Sequence, residues 1–329
     1  MDKRVTIKDI AVDVGVSISV VSYVLNDSKD VSISEQTKRK VLEAANRLGY
    51  VQNKNAAILR SGKSYTIGVV SYWQGSYVYE YLIDGIKEAA TKEGYKILIY
   101  NASINTDIED FISYYNDHMI DGIVIIAPYN KFEKYDIVRY IDIMERQGIK
   151  FSVINENLAD TASRVVSIDY DKCIYTAVNY FVEKGYTEIT YVTNLEKNDI
   201  STKERYKAYT DIMQKHNLKP IICDLKDIEK QIHNFKSVVT DKSNSAYHVL
   251  TAAIKLGYKV PDDFEIIASN TEYYSKYLYP PLTTVKVPAR EIGGFAVQNV
   301  INQIKGLNSS NSILPNYEYE IVFRESTKK

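Results

Sequence analysis

Cysteine is nearly absent: Cys173 and Cys223 are the only two in 329 residues, far apart and in apolar surroundings. That excludes a disulfide framework and reads as two reduced, packed thiols. The four histidines, His118, His216, His233 and His248, have no Cys or His partner at metal-ligand spacing, so neither a metal nor a cofactor is expected. After Met1-Asp2-Lys3-Arg4, polar and apolar residues alternate. No apolar run is long enough for a signal-peptide core or a membrane span, which points to the cytoplasm and away from an exported solute-binding protein. Enzyme signatures are missing as well. There is no nucleophile elbow G-x-S-x-G, no phosphate loop G-x-x-x-x-G-K and no G-x-G-x-x-G, and acidic clusters such as Asp107-Glu109-Asp110 read as helix faces. Catalysis is not expected.

What is present is apolar content and a divided charge. A hydrophobic share of 45% over this length supports two or three compact units. The net charge of -1 hides an imbalance: residues 1–63 hold eleven Lys and Arg against seven Asp and Glu, net +4, leaving -5 for residues 64–329. A basic head on an acidic body suits a phosphate-bearing partner drawn to the head alone.

From Thr6 the run TIKDIAVDVGVSISVVSYVLN places Ile7, Ile10, Ala11 and Val14 at helical spacing until Gly15 interrupts. Thr6 can cap this helix. Gly15 supplies a positive φ, Ser17 can cap a second helix, and Val20, Val21, Val24 and Leu25 are its expected buried stripe. A third helix follows from Ser34, with Val41, Leu42, Ala45 and Leu48 expected inward and Gly49 as its stop. Helix count alone is equally compatible with a small bundle that binds nothing. Gly15-Val16-Ser17, Val21-Ser22, Val24-Leu25-Asn26 and Leu48-Gly49-Tyr50, however, resemble the headpiece of the lactose-repressor family of bacterial regulators.

That resemblance implies that the second helix enters the major groove, with Ile18, Ser19 and Tyr23 reaching base edges and Thr6, Ser17, Ser22 and Asn26 holding phosphates. Val20 stands where the family usually has threonine, so one phosphate contact is expected to be missing. Residues 50–62, YVQNKNAAILRSG, resemble the family's hinge, a segment that becomes helical when two protomers meet on DNA. Leu59 would wedge into a central minor-groove step, flanked by Asn53, Ala56 and Arg60. Gln52 replaces a usual proline, which leaves the entry to the hinge less rigid. The alternative for this segment is a plain linker.

From Tyr65 short β-branched runs alternate with amphipathic stretches, the pattern of βαβ units. The strand candidates are TIGVVSY, YKILIYNA, GIVIIAP, FSVIN, VVSIDY, EITYVTN, SVVT and FEIIASN. Helices are expected near Tyr77, Asp107, Phe132, Asp171, Ser201, Ser245 and Ala289. The expected fold class is an all-α helix-turn-helix headpiece plus an α/β core of two doubly wound parallel sheets, with strand carboxyl ends at a shared cleft. Asp121-Gly122-Ile123, Arg205 with Tyr209, Gly257-Tyr258 with Val260-Pro261-Asp262, Tyr277-Leu278, Pro280-Pro281-Leu282-Thr283-Thr284-Val285 and Arg324-Glu325-Ser326 extend the same family resemblance along the chain. The family's core is similar to periplasmic sugar-binding proteins. The expected domains are 1–49 for DNA binding, 50–63 for the hinge and 64–329 for effector binding and dimerisation. Within the last, the N-lobe spans about 64–162 and 286–312 and the C-lobe about 163–285 and 313–329.

Carried over position by position, the resemblance places Tyr72, Trp73, Ser76, Tyr79, Asn155, Asp169, Arg205, Asp241 and Asn270 in the effector pocket. Trp73, the sole tryptophan, would offer a flat ring to a sugar, its alternative being a core aromatic. The family's Asn-Asp pair is here Asp241-Lys242 and its Asp-Asp pair Asn270-Thr271. Loss of a carboxylate at Asn270, with Lys242 beside Arg205, suits a phosphorylated or acidic sugar, although a solvated lysine is the plainer reading of Lys242. The implied function is sequence-specific transcription regulation. It would be repression of carbohydrate-utilisation genes by a homodimer on double-stranded operator DNA, controlled by a sugar or sugar phosphate. Induction and corepression both stay open, as does a corepressor protein. The alternative is a cytoplasmic small-molecule-binding protein without operator repression. The closing residues Arg324 to Lys329 carry no heptads, which favours a dimer over a tetramer.

Overall fold

The computed structural model describes residues 5–25, 31–50, 62–72, 75–102, 108–127, 137–155, 164–197, 200–307 and 316–328. The chain divides into two compact units, Met1–Gly62 and Lys63–Lys329.

Among the described residues the first unit holds three helices: α1 (Ile7–Val14), α2 (Ile18–Leu25) and α3 (Glu35–Arg47). Thr6 opens α1 with a capping box, its backbone N–H donating to the Asp9 carboxylate at 2.8 Å. Gly15 closes α1 at φ 74°, a conformation a side chain resists. Ser17 Oγ then accepts from Val20 N–H at 3.2 Å and starts α2. Ser34 caps α3 in the same way through Thr37 N–H. Ile10, Ala11, Val21, Val41, Ala44 and Ala45 form the core, with Val24, Leu25, Leu48 and Tyr50 packed on it. Two positions differ from the sequence expectation. Leu42 is 54% exposed, because the inward stripe of α3 is 41, 44, 45 and 48, about 100° away from residue 42. Val20 is only half-buried, at the edge of the α2 stripe formed by 21, 24 and 25.

The second unit carries two sheets. The first, in order β2-β1-β3-β4-β5, comprises β1 (Thr66–Ser71), β2 (Lys96–Asn101), β3 (Gly122–Ile126), β4 (Phe151–Asn155) and β5 (Val165–Ser167). All its pairings are parallel, and it extends to Ser167, a few residues beyond 162. Its helices are α4 (Tyr77–Lys92), α5 (Ile108–Asn116) and α6 (Ile137–Arg146). The chain then passes through Asp169 into α7 (Tyr170–Glu183), which belongs to the second lobe.

The second sheet, in order β11-β10-β9-β8-β6-β7, comprises β6 (Ile189–Thr193), β7 (Ile221–Asp224), β8 (Ser237–Thr240), β9 (Glu265–Ala268), β10 (Thr283–Lys286) and β11 (Glu320–Val322). Only β11 is antiparallel, pairing β10 at the edge. Around this sheet lie α7, α8 (Ile200–Lys215), the single turn α9 (Ile228–Gln231) and α10 (Ser243–Leu256). After β10 the chain returns to the first lobe as α11 (Ala289–Ile304), which packs along α4. Gly85 and Gly293 permit this approach, since a Cβ on either would collide with the backbone of Arg290 or Leu82.

Gly122–Ile126 is buried throughout and reads as a continuous apolar run, as a parallel sheet covered on both faces requires, whereas the equally buried Ile189–Thr193 carries Thr190, Tyr191 and Thr193. One hydrophobic cluster spans both lobes, from Ile67 and Leu82 through Ile174 and Phe181 to Val285 and Val297. A separate cluster fills the outer side of each sheet. Cys173 and Cys223 are free and buried, and burial pushes the Cys223 thiol up to about 12. Among the described residues no helix is long and apolar enough to cross a membrane.

Candidate functional site

On α2, burial of Val21 turns the opposite face outward. Ile18 is 45% and Tyr23 41% exposed, Ser19 is exposed beside them, and Ser22 is half-buried between. Positions 18, 19, 22 and 23 share one helical face, which therefore carries an aliphatic group, an aromatic ring and the three hydroxyls of Ser19, Ser22 and Tyr23. Large apolar groups held in water along one helix face are a surface for contact. Arg47 reaches Asp13 at 2.5 Å and ties α3 to α1. Thr6 donates its hydroxyl to Asp9 at 2.7 Å, and Ser17 is a helix cap, so both are engaged locally. Asn26, Asn53, Ala56, Leu59 and Arg60 lie outside the described residues, as does Trp73 in the core.

In the core, the second lobe gathers buried polar side chains where β6 and β8 end. The Asp241 carboxylate, 3% exposed, accepts from Thr193 Oγ1 at 3.0 Å and from Ser245 Oγ at 2.5 Å. Arg205 on α8 is 4% exposed, donates from Nη1 to Ser201 Oγ at 2.6 Å, and lays its guanidinium over the Tyr170 ring at 4.2 Å. Between these two charges stands Tyr191, stacked on Tyr209 with ring centroids 4.8 Å apart. The buried Tyr191 hydroxyl lies beside the Thr193 hydroxyl but makes no hydrogen bond of good geometry among the described residues. An unpaired buried hydroxyl costs stability unless something else bonds it, so this spot favours a polar guest.

Asp169 is the cap of α7, accepting from Lys172 N–H at 3.1 Å while its own N–H donates to Tyr319 Oη. Burial together with the neighbouring carboxylates Asp169 and Glu204 raises Asp171 to about 6, with Arg205 opposing. In the first lobe, Asn155 is buried and donates from Nδ2 to Ala127 O at 2.6 Å. Tyr72 packs with Val70, Ile123 and Ile125. Ser76 caps α4 by accepting from Tyr79 N–H, and the Tyr79 hydroxyl donates to Asn101. Arg205, Asp241 and Asp169 thus belong to one electrostatic neighbourhood with Tyr191 and Tyr170, while Tyr72, Ser76, Tyr79 and Asn155 occupy separate settings in the first lobe.

Asn270 does something the sequence reading did not anticipate. Its Oδ1 accepts from Ser243 N–H at 2.7 Å, at the start of α10, and its Nδ2 donates to Glu272 Oε1 at 3.0 Å. Glu272 in turn accepts from Tyr77 N–H, in the first lobe, through Oε2 at 3.3 Å. Burial raises the Glu272 pKa, with those two hydrogen bonds opposing. Sequence reasoning missed Glu272, Tyr191, Thr193 and Ser245. Thr193 and Ser245 could have been found from their places at a strand end and a helix start. Glu272 could not, because its partner is 195 positions away.

A head whose described residues form a helix-turn-helix with an exposed second helix, in one chain with a two-lobed α/β core, is an architecture suited to a DNA-binding regulator. The comparisons agree. Residues 6–53 match the model of bacterial regulatory proteins of the lacI family, and residues 178–327 match that of the periplasmic binding protein-like domain. The regulator RegA of Clostridium saccharobutylicum is 28% identical, covering 98% of this chain and 99% of its own. A crystal structure of the lac repressor dimer bound to operator and the anti-inducer ONPF aligns with TM-score 0.75 at 18% identity, covering 99% of each chain. A complex of the regulator CelR with cellobiose aligns with TM-score 0.61 at 17% identity, covering 98% of this chain and all of that one. Residues 6–53 are thus a lacI-family DNA-binding head and residues 178–327 a periplasmic-binding-protein-like domain, and over its whole length the chain is similar to DNA-binding transcriptional regulators.

Proposed function

We propose that this regulator is a cytoplasmic, homodimeric repressor of carbohydrate-utilisation genes, whose operator affinity is set by a sugar or sugar derivative held between the two lobes. Residues 1–49 read the operator, 50–63 link, and 64–329 bind effector and pair the protomers. The observation that carries the reading is the exposed face of α2, with Ile18, Ser19, Ser22 and Tyr23 together on a head of net charge +4. Ile18, Ser19 and Tyr23 are assigned to base edges, and Ser22 with the amide-rich start of α2 to phosphates.

The effector assignment rests on the Arg205, Tyr191 and Asp241 cluster, which offers a fixed donor, an unsatisfied hydroxyl and a carboxylate with lone pairs left over from Thr193 and Ser245. Directed polar groups beside aromatic faces suit a polyhydroxylated ligand. The cellobiose complex of CelR, on the same fold, supports that class. Pairing of two copies is supported by the apolar edge strand β2, where Leu98 and Ile99 are exposed.

The test is operator selection followed by fluorescence anisotropy on the enriched duplex, with a panel of sugars and sugar phosphates. Binding to a pseudo-palindrome that weakens steeply with salt, falls in Tyr23→Ala, and shifts with one compound is the expected result. Failure to enrich any duplex under all ligands would overturn the reading.

A further inference from the structure

The two lobes are joined by a continuous polar relay. It starts at the amino end of α10, where Ser243 N–H donates to Asn270 Oδ1. It continues through Asn270 Nδ2 to Glu272 Oε1, and ends where Tyr77 N–H, at the amino end of α4, donates to Glu272 Oε2. Glu272 is anchored at its base as well, since its N–H donates to Ser275 Oγ at 3.1 Å, and Ser275 Oγ donates to Ser243 Oγ at 3.2 Å. Beside it Tyr273 donates its hydroxyl to Glu80 on α4 and sets its ring edge-on to Tyr77, centroids 5.2 Å apart.

We infer that Glu272, held by Asn270, is a positioning residue that sets the closure of the lobes by capping α4 from the opposite lobe. The inference rests on the reading above that lobe geometry governs operator affinity. Two helix starts face one another across this relay, and each has orphan N–H groups and a positive dipole end. Ser76 satisfies the Tyr79 amide from the same lobe. The Tyr77 amide depends on Glu272, so its hydrogen bond exists only while the lobes are together.

The relay also accounts for asparagine at 270. Ser243 N–H is a donor only, which fixes Oδ1 toward it and turns Nδ2 toward the carboxylate. An aspartate there would still accept from Ser243 but could not donate to Glu272, and two carboxylates at about 3 Å repel. Asn270 and Glu272 are therefore a matched pair. Reversing both, as Asn270→Asp with Glu272→Gln, restores every hydrogen bond. The carboxylate introduced at position 270 would accept from Ser243 N–H and from the new amide at position 272, whose oxygen accepts from Tyr77 N–H.

The experiment measures amide hydrogen exchange at residues 77 and 79 in the full-length protein, for wild type, Asn270→Asp, Glu272→Gln and the double variant, alongside operator affinity. In Asn270→Asp the Tyr77 amide should exchange roughly tenfold faster while Tyr79 is unchanged, and the double variant should return to near the wild-type rate. Equal acceleration at both residues in the single variants, no acceleration in either, or a double variant as fast as the worse single one, would overturn the proposal. Operator affinity judges the other reading separately: a wild type that binds no duplex sinks the repressor while the exchange rates still decide the relay.

Discussion

The head and the core place their candidate contact residues in opposite environments. On α2, Ile18, Ser19 and Tyr23 stand in solvent over a core of six buried residues. In the core, Arg205 and Asp241 are almost wholly buried and bonded to their own lobe. A surface reader can change specificity without touching stability, because its side chains carry none of the packing. A buried site cannot, since each polar group there is also a strut. Substitutions should therefore separate binding from stability in the head and couple them in the core.

The sharpest break of this contrast is Ile10→Ala. Ile10 is fully buried in the head, and its truncation costs about 2–5 kcal/mol, comparable to the whole stability of so small a domain. Operator binding should vanish while the thermal transition of residues 63–329 and any sugar binding persist, which calorimetry beside anisotropy would show. Loss of both together would mean that the two units do not fold independently.

Next in size is Asp241→Ala. Removing the carboxylate leaves the Thr193 and Ser245 hydroxyls without their acceptor, at a cost of about 1–3 kcal/mol. The melting temperature of the core should fall and the sugar response disappear together. A variant that loses the response with an unchanged melting temperature would show that Asp241 is not a strut. On the head side, Tyr23→Ala should leave stability within about 0.5 kcal/mol yet weaken operator binding by about 1–3 kcal/mol. An unfolding shift as large as the affinity loss would remove the distinction between surface and strut.

Local signals explain what was legible. The helix-turn-helix follows from Thr6, Gly15 and Ser17, each acting within three residues or so of itself, and eight of the strands follow from β-branched runs. Leu42 misled because a leucine looks inward wherever it falls, whereas the angle of α3 is set by Val41, Ala44 and Ala45. Strands β7, β10 and β11 escape those local signals: β7 is only the four residues IICD, β10 follows β9 with no α-helix between, and β11 pairs antiparallel at an edge after a return from α11. The family resemblance places Ser76 and Asp169 at the cleft, and each sits where a strand gives way to a helix. That is also where a cap belongs, and capping is the role the hydrogen bonds show. Glu272 illustrates the limit: its meaning comes from Tyr77, and no window of sequence contains both.

The smallest predicted effect concerns pH and tests whether the core's couplings extend to its rim. Asp171, in the first turn of α7, is raised from the ordinary aspartate value of 3.8 to about 6, by partial burial against α8 and by Asp169 and Glu204, with Arg205 opposing. A raised carboxyl pKa means that the folded chain holds the proton more firmly than the unfolded chain. Between about pH 4 and 6 the folded state binds more protons, so stability rises as pH falls through 6 and the ionised group is a full liability above it. The side chain keeps an open face to solvent, so the liability is screened to less than about 1 kcal/mol. Asp171→Asn should therefore melt slightly higher than wild type at pH 7.5, with the gap closing toward pH 4. A gap independent of pH would assign the gain to helix packing, and a variant less stable at pH 7.5 would mean that the attraction of Arg205 outweighs both neighbouring carboxylates.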